Sequence, residues 1–464
     1  MQTYAPLEAS SCLPDARLER RLGRMLEQFT AQPQATIPQA TENRNDMDAT
    51  YAFFDNTKVN PSAILASCLP QTLTRLGDAT RVLVLQDTSD HNFSTLEQTQ
   101  ELGYTDGSEV RGLLVHSSLA VRPDGLPIGL LTQQIWTRDP ALKGLPKKRQ
   151  RAAKDKESYR WLDHAAAVRA ALPSGLTIVH VADREADTYD WLAAPRPSNA
   201  HLLIRVAQAH RVVVQCPDEK EGKLSEVIRA QVPLGDHVLE VPRGSDRVAR
   251  QATVTIRIAE VKVPPPTKAK KRSKLPRVRV WVIEAFEANP PIGETGLLWR
   301  LVTTEEVRTL EEAIRALTDY ATRWRIERFH YVLKQGCQVE RLQLETADRL
   351  SNAIAVYSEV AVRVLRLTYL GRVGTDIPVA TEFNADEVAV LDHCRQRQEK
   401  QPKARVKTIA EAIRVIARLG GHLGRKKDGP PGAKVLWRGL HRLHDRVLGY
   451  QINRAKVTGN TRNE

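Results

Sequence analysis

RVLVLQD, residues 81–87, and LTIVHVAD, residues 176–183, decide how this chain is to be read. Each is an unbroken apolar run closed by an aspartate. A strand with one wet face alternates polar and apolar residues. A run without alternation must be covered on both faces, as the central strands of an α/β sheet are. Side chains at the carboxyl ends of such strands emerge beside solvent, which makes Asp87 and Asp183 candidate catalytic groups. An aspartate after a strand equally well caps a turn or the next helix, and the two runs alone leave both readings open.

Working outward, LLVHSSLAV (113–121) and PIGLLTQQIW (127–136) are separated by Arg122-Pro123-Asp124-Gly125 and predict a hairpin. A helix is expected around 156–171, another at about 185–193, and a strand at HLLIRV, 201–206. Residues 211–302 are β-rich, with an exposed loop at PPPTKAKKRSK. The basic stretches Lys147 to Lys154 and Lys268 to Lys274 are read as solvated charge. Upstream, LPDARLERRLGRMLEQF sets Leu18, Leu22, Met25, Leu26 and Phe29 at helical spacing among arginines. That face suits DNA binding and equally suits plain solvation. MDATYAFFDN is a second short helix candidate. Helical patterns return from Leu310 through Tyr369 and at 406–419 and 435–450, the last two joined by GGHLGRKKDGPPG.

The 464 residues, 41% hydrophobic and 27% charged, predict two or three domains. No apolar run is long enough to span a bilayer, and the N-terminus lacks the basic-then-apolar plan of a signal peptide, so a cytoplasmic protein without a membrane partner is expected. The five cysteines are scattered, with no Cys-x-x-Cys unit, and are read as reduced, packed thiols. The formal charge of +14 draws the chain towards polyanions, nucleic acid first among them.

The third chemical element lies in LTDYATRWRIERFHYVLKQG, residues 317–336. On one continuous helix Tyr320, Arg323, Glu327 and Lys334 fall within an arc of roughly 60°. Ile326, Phe329 and Leu333 share a neighbouring face that would pack on the sheet. Arg323 and Glu327 also fit a plain surface i,i+4 pair. Three carboxylates, however, can hold two magnesium ions about 3.5–4 Å apart for phosphodiester chemistry. Arginine and lysine beside them would neutralise and orient phosphates.

At these residues the sequence resembles the DDE transposases of bacterial insertion sequences, in the group marked by a Y-R-E-K signature. The pattern Y-x2-R-x3-E-x6-K is met by Tyr320, Arg323, Glu327 and Lys334. QDTSD carries Asp87 and ADREAD carries Asp183, in the family's order. Further similarity runs through VRGLLVHSSL (110–119), DKESYRWL (155–162), GETGLLWRLVTTE (293–305) and IARLGG (416–421).

The resemblance implies an α/β fold with a ribonuclease-H-like catalytic core at 66–372, interrupted by a β-rich insertion at 211–302. A helical DNA-end-binding domain at 1–65 and a helical dimerisation domain at 373–464 would flank it. It implies Asp87, Asp183 and Glu327 as catalytic metal ligands for two Mg2+ ions, with Mn2+ able to substitute. Tyr320, Arg323 and Lys334 would contact phosphates, and Arg184 and Arg205 would add further DNA contacts. Trp299 would hold a flipped base, its alternative being core packing, which is the reading preferred for Trp324. His330 is read as structural. The implied activity is cut-and-paste transposition: cleavage at terminal inverted repeats, a hairpin intermediate, and strand transfer into target DNA by a homodimer. A bacterial, nucleoid-associated location follows. The alternatives are a non-catalytic DNA-binding inhibitor of transposition and a metal-dependent nuclease that never joins ends.

Overall fold

A computed structural model describes residues 12–105, 110–138, 157–241, 250–267, 269, 272–373, 376–399, 403–425 and 428–460. The basic stretch 147–154 lies outside the described residues, as do 268, 270 and 271 of the second basic loop.

The chain begins with four helices: α1 (Ala16–Ala31), α2 (Ile37–Ala40), α3 (Arg44–Asp55) and α4 (Pro61–Leu76). Side chains of Asp15, Asn43 and Asn60 cap α1, α3 and α4 by accepting backbone N–H groups of the first turn. The sequence reading did not foresee α4, which holds Pro61 at its start and Pro70 in its interior. A proline at the first position suits a helix, but one inside removes a hydrogen bond and normally argues against it.

Strands β1 (Arg81–Asn92), β2 (Gly103–Tyr104), β3 (Arg111–Val121) and β4 (Pro127–Trp136) follow, then α5 (Arg160–Ala171), β5 (Thr177–Ala182), α6 (Tyr189–Ala193) and β6 (Ala200–Arg205). The β-rich stretch contains β7 (Val212–Gln215), β8 (Glu221–Lys223), α7 (Leu224–Arg229), β9 (Gly235–Val241), β10 (Arg250–Val263), β11 (Val278–Phe286) and β12 (Leu298–Thr303). Helices α8 (Leu310–Ala321), α9 (Trp324–Tyr331), α10 (Ala347–Val373), α11 (Ala385–Glu399), α12 (Ile409–Leu419) and α13 (Ala433–Asn460) complete the chain.

These elements cluster into two compact units. One comprises Ala79–Asp87 and Lys148–Trp324; the other comprises Met1–Asp78, Thr88–Lys147 and Arg325–Glu464. Both are discontinuous in sequence, unlike the three consecutive segments 1–65, 66–372 and 373–464 expected from the sequence.

In the Ala79–Asp87/Lys148–Trp324 unit, the first half of β1, β5 and β6 run parallel in that order. Antiparallel β12, β11 and β10 continue the sheet, with β7 and β9 both paired to β10. The mixed α/β class and the β-rich 211–302 stretch are thus present. Its core gathers Trp161, Trp191, Ile204, Val261, Val282 and Val302.

In the second unit β3 and β4 form the expected hairpin. The N–H of Phe93, just past β1, donates to the Arg111 carbonyl at 2.8 Å. Gly112 permits a close approach there, since a Cβ at that position would lie 1.9 Å from the His91 carbonyl oxygen. Helix α10 is buried along nearly its whole length and packs on α1, α4, α12 and β4. The apolar face foreseen for α1 is buried at Leu22, Met25, Leu26 and Phe29, and the Phe29 ring stacks on Tyr357 at 4.8 Å. Among the described residues no helix is long and apolar enough to cross a membrane. All five cysteines are free thiols; Cys68, Cys337 and Cys394 are buried as expected, whereas Cys12 is exposed.

Candidate active site

Strands β1 and β5 pair in parallel from Arg81 with Thr177 to Leu85 with Val181. Carried two residues on, this register sets Asp87 beside Asp183. Neighbours in parallel register point to the same face of a sheet, on strands about 4.8 Å apart. The two aspartates singled out from sequence are therefore brought together, each half-buried. One detail is corrected: Asp87 does not end its strand, because β1 continues to Asn92. What ends before Asp87 is the pairing with β5, which stops at Ala182.

Asp183 also realises the alternative reading. Its carboxylate accepts the Glu185 N–H at 2.9 Å and caps a 3-10 turn over Arg184–Ala186. Burial raises its pKa above the ordinary carboxylate range. The Glu185 N–H and the cations Arg323 and Arg160 oppose that rise, while the neighbouring Asp87 charge adds to it. Two carboxylates that resist ionising together form a seat whose charge a cation would relieve.

The cations of this unit converge on the same place. Arg205, at the end of β6, is held below its ordinary pKa first by burial, with Arg184 and Arg323 contributing repulsion and Tyr320 attraction. Arg323 is buried, its guanidinium 5.9 Å from the Tyr320 ring centroid and 5.6 Å from that of Trp324. The Trp299 and Tyr320 rings meet edge to face at 5.4 Å. Trp299 is half-buried. Trp324 is 41% exposed, which corrects the expectation that it packs in the core. It occupies the first position of α9 and turns away from the buried Ile326 and Phe329.

The expectation of one continuous helix over residues 317–336 is also corrected. Helix α8 ends at Ala321, and α9 starts at Trp324. Between them the Thr322 N–H is shared by the Thr318 and Asp319 carbonyls, and Arg323 N–H bonds back to Tyr320 at 2.9 Å. These i→i+3 bonds tighten the turn. Past α9 the chain widens into a π turn over Val332–Gly336, closed by Cys337 N–H to the Val332 carbonyl at 2.8 Å. Tyr320 thus lies in the last turn of α8, Arg323 in the break, Glu327 in α9 and Lys334 in the π turn. The sixty-degree arc does not describe them.

The four residues also divide between the units: Tyr320 and Arg323 belong with Asp87 and Asp183, Glu327 and Lys334 to the other unit. Glu327 is half-exposed, whereas Ile326, Phe329 and Leu333 are fully buried as the apolar stripe required. Lys334 lies 3.5 Å from Asp90 and 4.0 Å from Glu340. His330 is buried, in keeping with a structural part.

Two residues that the sequence reading passed over matter here. Arg160 pairs with Glu185 at 2.8 Å and lies close enough to Asp183 to favour its ionised form. A lone cation at a helix start carries no such signal in sequence. Asp187, four residues after Asp183 in the same motif, is a framework group instead. It is fully buried, accepts the backbone N–H groups of Ala207 and Gln208 at 2.8 and 3.2 Å, and pairs with Arg211 at 2.5 Å.

Among the described residues no group of three His, Cys, Asp or Glu side chains stands close enough to hold a metal ion. The pair Asp87 and Asp183 nonetheless supplies the hard oxygen donors that Mg2+ prefers, with mutual repulsion that a divalent ion would offset.

Two family models match the chain outside this pair. Residues 2–59 match the model described as transposase DNA-binding, and residues 359–459 match that of the Tn5 transposase dimerisation domain. Together the two matches support a DNA transposase of the Tn5 type.

Proposed function

We propose that this transposase cuts its element out of DNA and inserts it elsewhere, with Asp87, Asp183 and Glu327 as the carboxylates of a DDE-type active site in a ribonuclease-H-like core. The observation that carries the proposal is the parallel register that sets Asp87 beside Asp183 in a chain whose two ends match transposase DNA-binding and dimerisation models. Motif order and spacing assign Glu327 as the third carboxylate. The three would hold Mg2+, or Mn2+ in its place, which would lower the pKa of an attacking water and stabilise the leaving oxygen.

The chain's own residues supply the rest. Arg323, Arg205 and Arg184 gather positive charge beside Asp183, where a scissile phosphate is to be oriented. Tyr320 and Lys334 complete the phosphate contacts. Trp299, half-buried against the Tyr320 ring, offers a platform on which an extruded base can stack if a hairpin intermediate forms. The partners would be terminal inverted repeats, target DNA and a second copy of this chain.

The test uses purified protein, a labelled terminal-repeat duplex, a target plasmid and Mg2+ or Mn2+. Metal-dependent cleavage followed by joining is the expected result. Undiminished cleavage by Asp183→Ala would sink the proposal, and cleavage without joining would make the protein a nuclease. A duplex that is bound but never cut would leave it a DNA-binding inhibitor.

A further inference from the structure

We propose that the Met1–Asp78/Thr88–Lys147/Arg325–Glu464 unit contains a second binding site, a cavity between α1 and α13 that takes an amphipathic organic amine. It is independent of the transposase reading, because none of its residues belongs to the candidate active site. The cavity has a volume of about 650 Å3, within the range of small-molecule sites.

Its walls are chemically two-sided. Helix α13 contributes an apolar stripe, Leu440, Leu443, Val447 and Leu448, at the spacing that puts one helix face towards a ligand. Opposite it, α1 contributes Glu27, and the start of α11 contributes Glu387. In a chain with a net charge of +14, Glu27 makes no hydrogen bond or ion pair with any described residue. Glu387 accepts only the backbone N–H of Asn384 at 2.8 Å. Burial raises the pKa of both carboxyls, so each lacks the counter-charge that would favour its ionised form fully.

The same wall is short of hydrogen-bond donors. Gln28 and Thr30, 9% and 4% exposed, both line the cavity, and the side-chain oxygen of each has no partner. Buried polar atoms are normally satisfied, and an orphaned acceptor costs stability. The arginines of this wall do not meet the deficit. Arg24 is engaged by Glu42 and Asp46, and Arg363 donates to the Glu382 carbonyl at 3.3 Å. An ammonium head supplies both the charge and the donors that are wanting, while an aliphatic body covers the leucines. An anion of the same shape meets the wrong charge.

Hexylamine, hexanol and hexanoate separate these elements. Calorimetric titration of the full-length protein at low salt should give saturable binding of hexylamine, weaker binding of hexanol and none of hexanoate. The double variant E27Q/E387Q, which keeps the acceptor towards Asn384, should bind hexylamine at least tenfold more weakly at an unchanged melting temperature. Leu443→Trp, which fills the apolar side, should also lose binding. Equal binding of the amine by wild type and E27Q/E387Q, or no saturable heat with wild type, would overturn the proposal. DNA cleavage is not read in this experiment, so its outcome is separate from that of the active-site test.

Discussion

Among single residues, the motif Asp183-Arg184-Glu185-Ala186-Asp187 shows how two identical side chains take opposite parts. Asp183 is half-buried beside Asp87, while Asp187 is fully buried within a hydrogen-bonded turn. Asp183→Ala should leave folding close to wild type and reduce metal-dependent cleavage to background, with DNA binding retained in a gel-shift assay. Asp187→Ala should instead cost roughly 3–5 kcal/mol in urea denaturation, because it strands the buried Arg211 guanidinium. If the two variants behave alike, the assignment of parts is wrong. Sequence marked Asp87 and Asp183 as candidates because strand ends open to solvent. It could not tell Asp183 from Asp187, since only burial and the backbone groups facing each carboxylate do so.

Single elements were legible where periodicity was strong and illegible where local geometry departs from it. The hairpin β3–β4, the buried strands β1 and β5 and the amphipathic helices α1 and α12 all announce themselves in the spacing of apolar residues. Helix α11 does not, having little amphipathic contrast, and α4 is masked by its prolines. The break at Thr322–Arg323 and the π turn at Val332–Gly336 were invisible for another reason. Both replace one backbone hydrogen-bond pattern by another without any Pro or Gly at the break itself. Glycines settle a different contact: a Cβ on Gly439 of α13 would lie 2.0 Å from the Ile416 carbonyl oxygen, and one on Gly420 1.8 Å from that of Val435. Helices α12 and α13 thus cross with backbones nearly touching. Gly439→Ala should force them apart and cost on the order of 1–3 kcal/mol, as overpacking does. Within the segment that matches a dimerisation model, it should also weaken self-association in sedimentation velocity. A variant as stable and as associated as wild type would refute this crossing.

The whole molecule carries a charge of +14, and its affinity for DNA should fall linearly with the logarithm of salt concentration. A salt-independent affinity would point to binding without phosphate contacts. Its stability should depend on pH in opposite senses in the two units. In the Ala79–Asp87/Lys148–Trp324 unit, burial lowers His180 to about 3 and His164 to about 4 from 6.5. The unfolded chain then binds more protons below pH 6.5, so stability falls as pH drops through that window. In the other unit burial raises Glu359 from 4.5 to about 7, so its folded carboxyl stays protonated where the unfolded one ionises. That contribution is present below pH 4.5 and is lost as pH rises towards 7. Urea denaturation across pH 4–8 should show both slopes, with His180→Gln flattening the acid side and Glu359→Gln the neutral side. By itself the sequence determined the α/β class, the buried strands, the apolar faces and the two aspartates, because these follow from the order of side chains along a regular backbone. Only the tertiary structure decided that Asp87 stands beside Asp183, that Trp324 is exposed and that the Y-R-E-K residues do not share one straight helix. Register, burial and the closure of hydrogen bonds between distant segments are properties of packing, and no local pattern fixes them.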